Sequence, residues 1–309
     1  LIVGLGLCQS AFTQSSSHRS LTIPLNNWTS QRVLSLAIGQ TLAKHNYHIT
    51  YQDISVNDQW GALRQGIIHF QLEVWQQSME MATQRFFEQG YIVDLGKHQA
   101  VSREDWWYPL YVEELCPGLP DWQALNQCSS LFSAKTGNKG TYFSGPWQYL
   151  DADIIRALNL NFTIERFDDD LTLVKKLKKS VVQQQAIVLL NWSPNWTDSR
   201  IDGKFVEFPD HTKQCEQEPS WGINPDYVHD CGNIKQGWIK KAAWPGLAKY
   251  QPCVHQFIGN LEFNNTMISE AAAYVIADGL TESQAAQKWQ ATYAKEIKHW
   301  LANTCIAQS

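Results

Sequence analysis

Five apolar residues in a row, Ala186 to Leu190, constrain this chain more than any other stretch. A strand exposed on one side alternates apolar and polar residues. A run this uniform reads as a strand buried on both faces, as in a parallel sheet covered by helices. Asn191, Trp192, Ser193 and Pro194 then break the pattern, so Trp192 is expected just past the carboxyl end of that strand. In open α/β sheets that end is where ligands bind.

Three other tryptophans repeat the placement. Trp28 follows the apolar run Leu21–Leu25 and precedes a helical pattern. Trp75 ends the run from His69, and Trp147 follows Gly140–Phe143 through a Ser-Gly-Pro turn at which another helix is expected to start. The chain has 14 tryptophans, so several must be core residues. The repetition at four strand ends carries the reading. It implies an aromatic pocket for a methylated ammonium cation, held by cation–π attraction on the order of 0.5–2 kcal/mol per ring. Such a head has no N–H donor, so ring faces, shape and exclusion of water must select it. In the strand His69–Trp75 the period of two puts Glu73 on the side of Trp75, where a carboxylate can complement a cation.

The order of elements predicts two α/β lobes. Thr29 or Ser30 can cap a helix to about Lys44, Tyr47–Ile54 alternates as a strand, and a short helix after Asp58 closes at Gly66. Strand His69–Trp75 and a helix over Met79–Glu88 follow. Strand alternating with helix means a parallel sheet with crossovers. Asp105–Val112 reads as an aromatic strand broken by Pro109, at an edge or crossing between the lobes. From Gly140 a second series begins, with helices over Pro146–Leu158 and Asp170–Val182 around strand Phe162–Arg166. Asp168, Asp169 and Asp170 most simply cap and charge the second of these helices. Phe205–Phe208 reads as a strand returning to the first lobe. Helices are expected over Pro245–Ile258, Asn264–Ala277 and Glu282–Ala302, the last capped by Thr281. The expected division is 1–19 as signal-peptide remnant and leader, 20–113 plus 206–305 as one lobe, and 114–205 as the other.

Composition narrows the class. A net charge of −5 gives no electrostatic reason to bind nucleic acid or an anionic membrane. The apolar start Leu1–Leu7 resembles the tail of a secretory signal peptide. Leu7 is larger than the residue usually found before a lipidated cysteine, so a free periplasmic protein is expected rather than an anchor at Cys8. The other six cysteines, Cys116, Cys128, Cys215, Cys231, Cys253 and Cys305, lack CxxC spacing, which speaks against a zinc or redox site. Six cysteines allow about 15 pairings; neighbours are favoured, namely Cys116–Cys128, Cys215–Cys231 and Cys253–Cys305. The loop His211–Gly237 matches no EF-hand spacing. No cofactor or metal is expected.

With these residues in view, the chain resembles the periplasmic substrate-binding proteins of ABC importers for glycine betaine, choline and related osmolytes. The resemblance spans about Leu21–Leu301 and is carried by Trp60–Trp75, Trp107–Val112, Leu190–Trp196 and the C-terminal stretch from Ile239 to Trp300. It implies a type II binding-protein fold, with two crossings and a cleft that closes on its ligand. It also implies an aromatic box of Trp28, Trp75, Trp147 and Trp192, a monomer, and a membrane permease as partner. A ligand carboxylate would meet main-chain amides at Ser144 and Gly145, ahead of the Trp147 helix. Glu73 beside Trp75 resembles members that take choline or trimethylamine N-oxide.

Other classes fit less well. A sugar also stacks on tryptophan, but it needs many polar partners, and near the four tryptophans there are mainly Asn27, Glu73, Ser144 and Asn191. No Gly-x-Ser-x-Gly or HExxH motif marks a hydrolase, so a binding protein rather than an enzyme is expected.

Overall fold

One strand of 17 residues, β4 in chain order (Val93–Pro109), belongs to both halves of the molecule. We describe a computed structural model covering residues 19–133, 137–147, 149–302 and 304–306. The signal-peptide remnant, Cys8 and nearly all of the leader lie outside the described residues.

In the first half, β1 (Ser20–Leu25) leads into α1 (Thr29–Ala43), and β2 (His48–Asp53) pairs parallel with β1. Helix α2 (Gln59–Gln65) closes on Gly66, whose φ of 72° suits glycine at a helix end. Strand β3 (Phe70–Trp75) lies beside β1, where the His69 amide donates to the Thr22 carbonyl at 2.9 Å. Helix α3 (Gln76–Glu88) starts at once after Trp75. Then comes β4, followed by two short helices, α4 (Val112–Leu115) and α5 (Trp122–Gln127).

The second half holds β5 (Gly140–Ser144), α6 (Asp151–Ala157), β6 (Phe162–Arg166), α7 (Asp170–Gln183), β7 (Val188–Ser193) and β8 (Gly203–Phe205). Here β5 pairs parallel with both β6 and β7. A loop carrying α8 (Lys213–Gln217) leads to β9 (Gly237–Ala243), which lies antiparallel between β3 and β4. The chain ends in α9 (Leu247–Tyr250), α10 (Pro252–Asn260), α11 (Asn265–Ile276), α12 (Glu282–Thr292) and α13 (Ala294–Ala302), with α11 and α12 packed on α1. Among the described residues no helix is long and apolar enough to cross a membrane. Disulfides join Cys116 to Cys128, Cys215 to Cys231, and Cys253 to Cys305.

Strand β4 changes partner between Ser102 and Arg103. Up to Ser102 it pairs with β9; from Arg103 it pairs with β7, and its last residues with β8. It is thus an interior crossing strand, with Pro109 at its very end, where a missing N–H costs least.

Several sequence expectations need correction. β7 runs to Ser193 rather than stopping at Leu190, because Arg103 and Glu104 of β4 pair with Ser193 and Trp192. The helix expected from Pro146 starts only at Asp151. The strand expected at Phe205–Phe208 is Gly203–Phe205. Two of the three C-terminal helices expected are interrupted, Pro245–Ile258 at Gln251 and Glu282–Ala302 at Tyr293. β9 has no strand signature in the sequence, because consecutive lysines disguise it. Lys240 reaches Asp94 at 2.6 Å, whereas Lys241 is buried and donates to the carbonyls of Gly259 and Leu261 at the end of α10. Nor does Thr29 or Ser30 cap α1: its N-cap is Trp28, with no side-chain bond.

A buried polar cluster sits where β4 changes sheets. Trp106 is fully buried, stacks on Tyr142 at 3.9 Å, and donates its indole N–H to Asp151 at 2.9 Å. Asp105, next to it, is held by Arg103 at 3.5 Å and by its bond from the Trp106 amide. Burial pushes Asp105 up to about 7 and Asp151 up to about 6. On the other face, Trp107 packs against Gly203, where a Cβ would overlap the indole ring.

Two stability predictions follow from this joint. A carboxyl whose folded pKa is raised favours folding below its unfolded value of about 4 and loses that contribution as pH rises through the folded value. Asp151→Asn, neutral at every pH, should therefore gain stability relative to the wild type as pH rises from about 4 to about 7. Paired thermal melts would show it; parallel curves would contradict it. Gly203→Ala should destabilise by about 1–3 kcal/mol through displacement of Trp107, measured by urea unfolding.

Candidate functional site: a four-tryptophan cavity between the lobes

The cavity lies beside the crossing, between the two halves. It is lined by Trp28, Trp75, Ser78, Met79, Glu104, Trp147, Tyr149 and Trp192. The four tryptophans singled out from sequence meet here, each at most 9% exposed.

Each ring is placed by the element that carries it. Trp28 and Trp75 are the N-cap residues of α1 and α3, at points where a strand passes into a helix. Trp192 lies on β7 directly opposite Glu104 of β4, so both side chains leave the sheet together. Trp147 sits in the irregular segment before α6 and meets Trp192 edge to face at 5.2 Å. Its indole N–H donates to Asn27 of the opposite lobe at 3.3 Å.

Glu73 has a different place from the one expected. It is fully buried and does not line the cavity. Its Oε2 accepts the indole N–H of Trp28 at 2.7 Å, that of Trp75 at 3.0 Å and the Ser30 hydroxyl at 3.0 Å. Burial pushes its carboxyl up to about 7 against the lowering effect of these bonds. The carboxyl that faces the cavity is Glu104, 3% exposed. It accepts the Tyr149 hydroxyl at 2.7 Å and the Ser78 amide at 3.3 Å, and burial raises its pKa.

Ser144 and Gly145 also differ from expectation. With α6 starting at Asp151 they are not at a helix N-terminus, and neither lines the cavity. Gly145 instead leaves room for the Trp147 ring, which a Cβ would strike. The Ser144 hydroxyl is buried with no partner among the described residues. Sequence reasoning missed Ser78, Met79, Glu104 and Tyr149. Tyr149 stands two residues after Trp147, and Glu104 opens the aromatic stretch of β4; only the strand register shows that Glu104 opposes Trp192.

The two halves also clasp each other beside the cavity. Asp169 caps α7, accepting from the Thr172 amide at 2.7 Å. Asp170 instead accepts the Thr29 amide at 2.9 Å and the Thr29 hydroxyl at 2.7 Å. A carboxylate from the second half thus satisfies the buried N-terminus of α1, where the helix dipole favours negative charge.

Residues 19–292 match the family described as the substrate binding domain of ABC-type glycine betaine transport systems. The chain is 30% identical over 288 residues to a trimethylamine N-oxide-binding protein of Pelagibacter ubique (strain HTCC1062), covering 90% of this chain and 89% of that protein. Its fold is similar to an ABC-transporter choline-binding protein in complex with choline (TM-score 0.73, 16% identity, 94% of each chain). It is also similar to lactococcal OpuAC in its closed-liganded conformation with glycine betaine (TM-score 0.66, 15% identity, 92% of this chain and 99% of that one). A match over nearly the whole chain, on a two-lobed α/β frame closed over a cavity, makes this protein a member of the family of substrate-binding domains of ABC-type glycine betaine transport systems.

Proposed function

We propose that this chain captures a small trimethylated onium compound lacking a carboxylate, trimethylamine N-oxide foremost, and hands it to the permease of an ABC importer. The observation that carries this reading is the pairing of four indoles with one buried carboxyl, Glu104, on the same cavity. The rings offer negative faces to methylated nitrogen. Glu104 offers a carboxyl that burial keeps closer to its protonated form. An N-oxide oxygen is a strong acceptor and needs a donor, which protonated Glu104 supplies. A carboxylate such as that of glycine betaine would meet Glu104 instead of free amides, since the Ser78 amide in the first turn of α3 is already given to Glu104. The likeness to a trimethylamine N-oxide-binding protein supports the same choice.

The protein works as a monomer in the periplasm. The lobes hinge where β4 changes sheets and along the segment 206–236, and closure buries the ligand's methyl groups. The Asp170–Thr29 clasp forms only when the lobes meet, so it stabilises the closed state whichever ligand is inside.

Calorimetric titration with trimethylamine N-oxide, choline, glycine betaine and maltose tests the reading. The N-oxide is expected to bind most tightly; preference for glycine betaine or maltose would overturn it. Trp75→Ala and Trp192→Ala should each weaken binding by about 1–3 kcal/mol. Affinity for the N-oxide should rise as pH falls and Glu104 gains its proton. In Glu104→Gln, whose amide donates at every pH, that dependence should flatten. Asp170→Ala should weaken all bound ligands by a similar factor, about 1–2 kcal/mol, without changing their ranking.

A further inference from the structure

We infer that Glu73 is a positioning residue that fixes Trp28 and Trp75 and places a negative charge at the N–H edge of both rings, so that their faces receive the onium end. This rests on the onium reading of the cavity and goes beyond it by assigning a role to a residue that does not touch the ligand.

The geometry is specific. One oxygen, Oε2, gathers both indole N–H groups and the Ser30 hydroxyl. The two rings come from separate elements, Trp28 from the start of α1 and Trp75 from the end of β3, and the shared carboxylate ties them together. An indole is free to rotate about two side-chain bonds. A hydrogen bond at its N–H fixes which face it turns, because the donor lies in the ring plane. With both N–H groups drawn to one point, the two rings keep a set mutual angle.

The electrostatics runs the same way. A carboxylate accepting from an indole N–H pushes electron density into the ring and makes its face more negative. In a dry site this effect is little screened. Glu73 is wholly buried, its Oε1 has no hydrogen-bond partner among the described residues, and no cationic side chain among them pairs with it. An unpaired buried charge is costly unless a counter-charge arrives. The onium nitrogen is that counter-charge, reached through the rings. Its arrival favours the ionised form of a carboxyl that burial otherwise holds near 7. Glu104, which lines the cavity, then meets the oxygen end.

The test compares the wild type with Glu73→Gln, using tetramethylammonium and trimethylamine N-oxide as probes. The first carries a net charge and the second none. Gln has the same shape, and its carbonyl can accept both indole N–H groups, so ring placement is kept while the charge is removed. Affinity for tetramethylammonium should fall about tenfold or more, and that for the N-oxide by clearly less. Near-ultraviolet circular dichroism of the empty protein should be unchanged. Glu73→Ala, which frees both rings, should alter that spectrum and weaken both probes. Equal losses for the two probes in Glu73→Gln would reduce Glu73 to a structural residue and overturn the inference, as would no loss at all. Should Glu73→Gln not fold, Trp28→Phe and Trp75→Phe serve in its place. Each keeps an aromatic face but cuts the link to Glu73, and each must then weaken tetramethylammonium more than the N-oxide. If the wild type binds neither probe, the reading of the cavity itself fails; binding by the wild type with no selective loss in the variants refutes only the role of Glu73.

Discussion

The cavity depends on a strand that is hydrogen-bonded into two sheets. β4 pairs with β9 up to Ser102 and with β7 from Arg103, so its middle is the joint between the halves. Glu104 emerges just past that change, opposite Trp192. The carboxyl facing the cavity is therefore set on backbone hydrogen-bonded into a sheet. Loops would place it less exactly, because their bonds can yield. The cluster of Trp106, Asp151, Asp105 and Arg103 holds this joint from behind.

Chemistry and architecture fit each other here. A trimethylated nitrogen offers nothing to hydrogen-bond, so recognition must come from ring faces in a water-free space. Only closure of two surfaces provides such a space for a ligand that must also leave. Trp28 and Trp75 come from one half, Trp147 and Trp192 from the other. Neither half holds a complete box. The Asp170–Thr29 contact and the Trp147–Asn27 bond lie at the same seam, so contacts between the halves sit beside the cavity.

Carboxyl groups do three jobs within a short distance. Asp170 meets a helix N-terminus, Glu104 faces the cavity, and Glu73 stands at the N–H edge of two rings. All three are buried and raised in pKa, and desolvation is the leading cause in each. Their roles differ through what they accept: a main-chain amide and hydroxyl, a tyrosine hydroxyl with an amide, or two indoles. Residue type alone would not separate them.

Much was legible in the sequence because it rests on local pattern. The uniform run at Ala186–Leu190 announced a strand buried on both faces, and strand–helix alternation announced two α/β units. Tryptophans placed where strands end marked the cavity, since a strand end fixes which edge of a sheet a side chain occupies. What failed was whatever depends on a distant partner. Lys241 reads as a surface residue until the carbonyls of Gly259 and Leu261 surround it. Trp192 reads as lying past its strand until β4 extends the ladder. Asp170 reads as a cap of its own helix until Thr29 arrives from the other half. Glu73 reads as a ligand contact, and only folding shows that it accepts two indole N–H groups and does not line the cavity. Periodicity along the chain thus determined the elements and the ring supply. Register and closure, which join residues dozens of positions apart, decided which carboxyl faces the cavity and which is spent on two indole N–H groups.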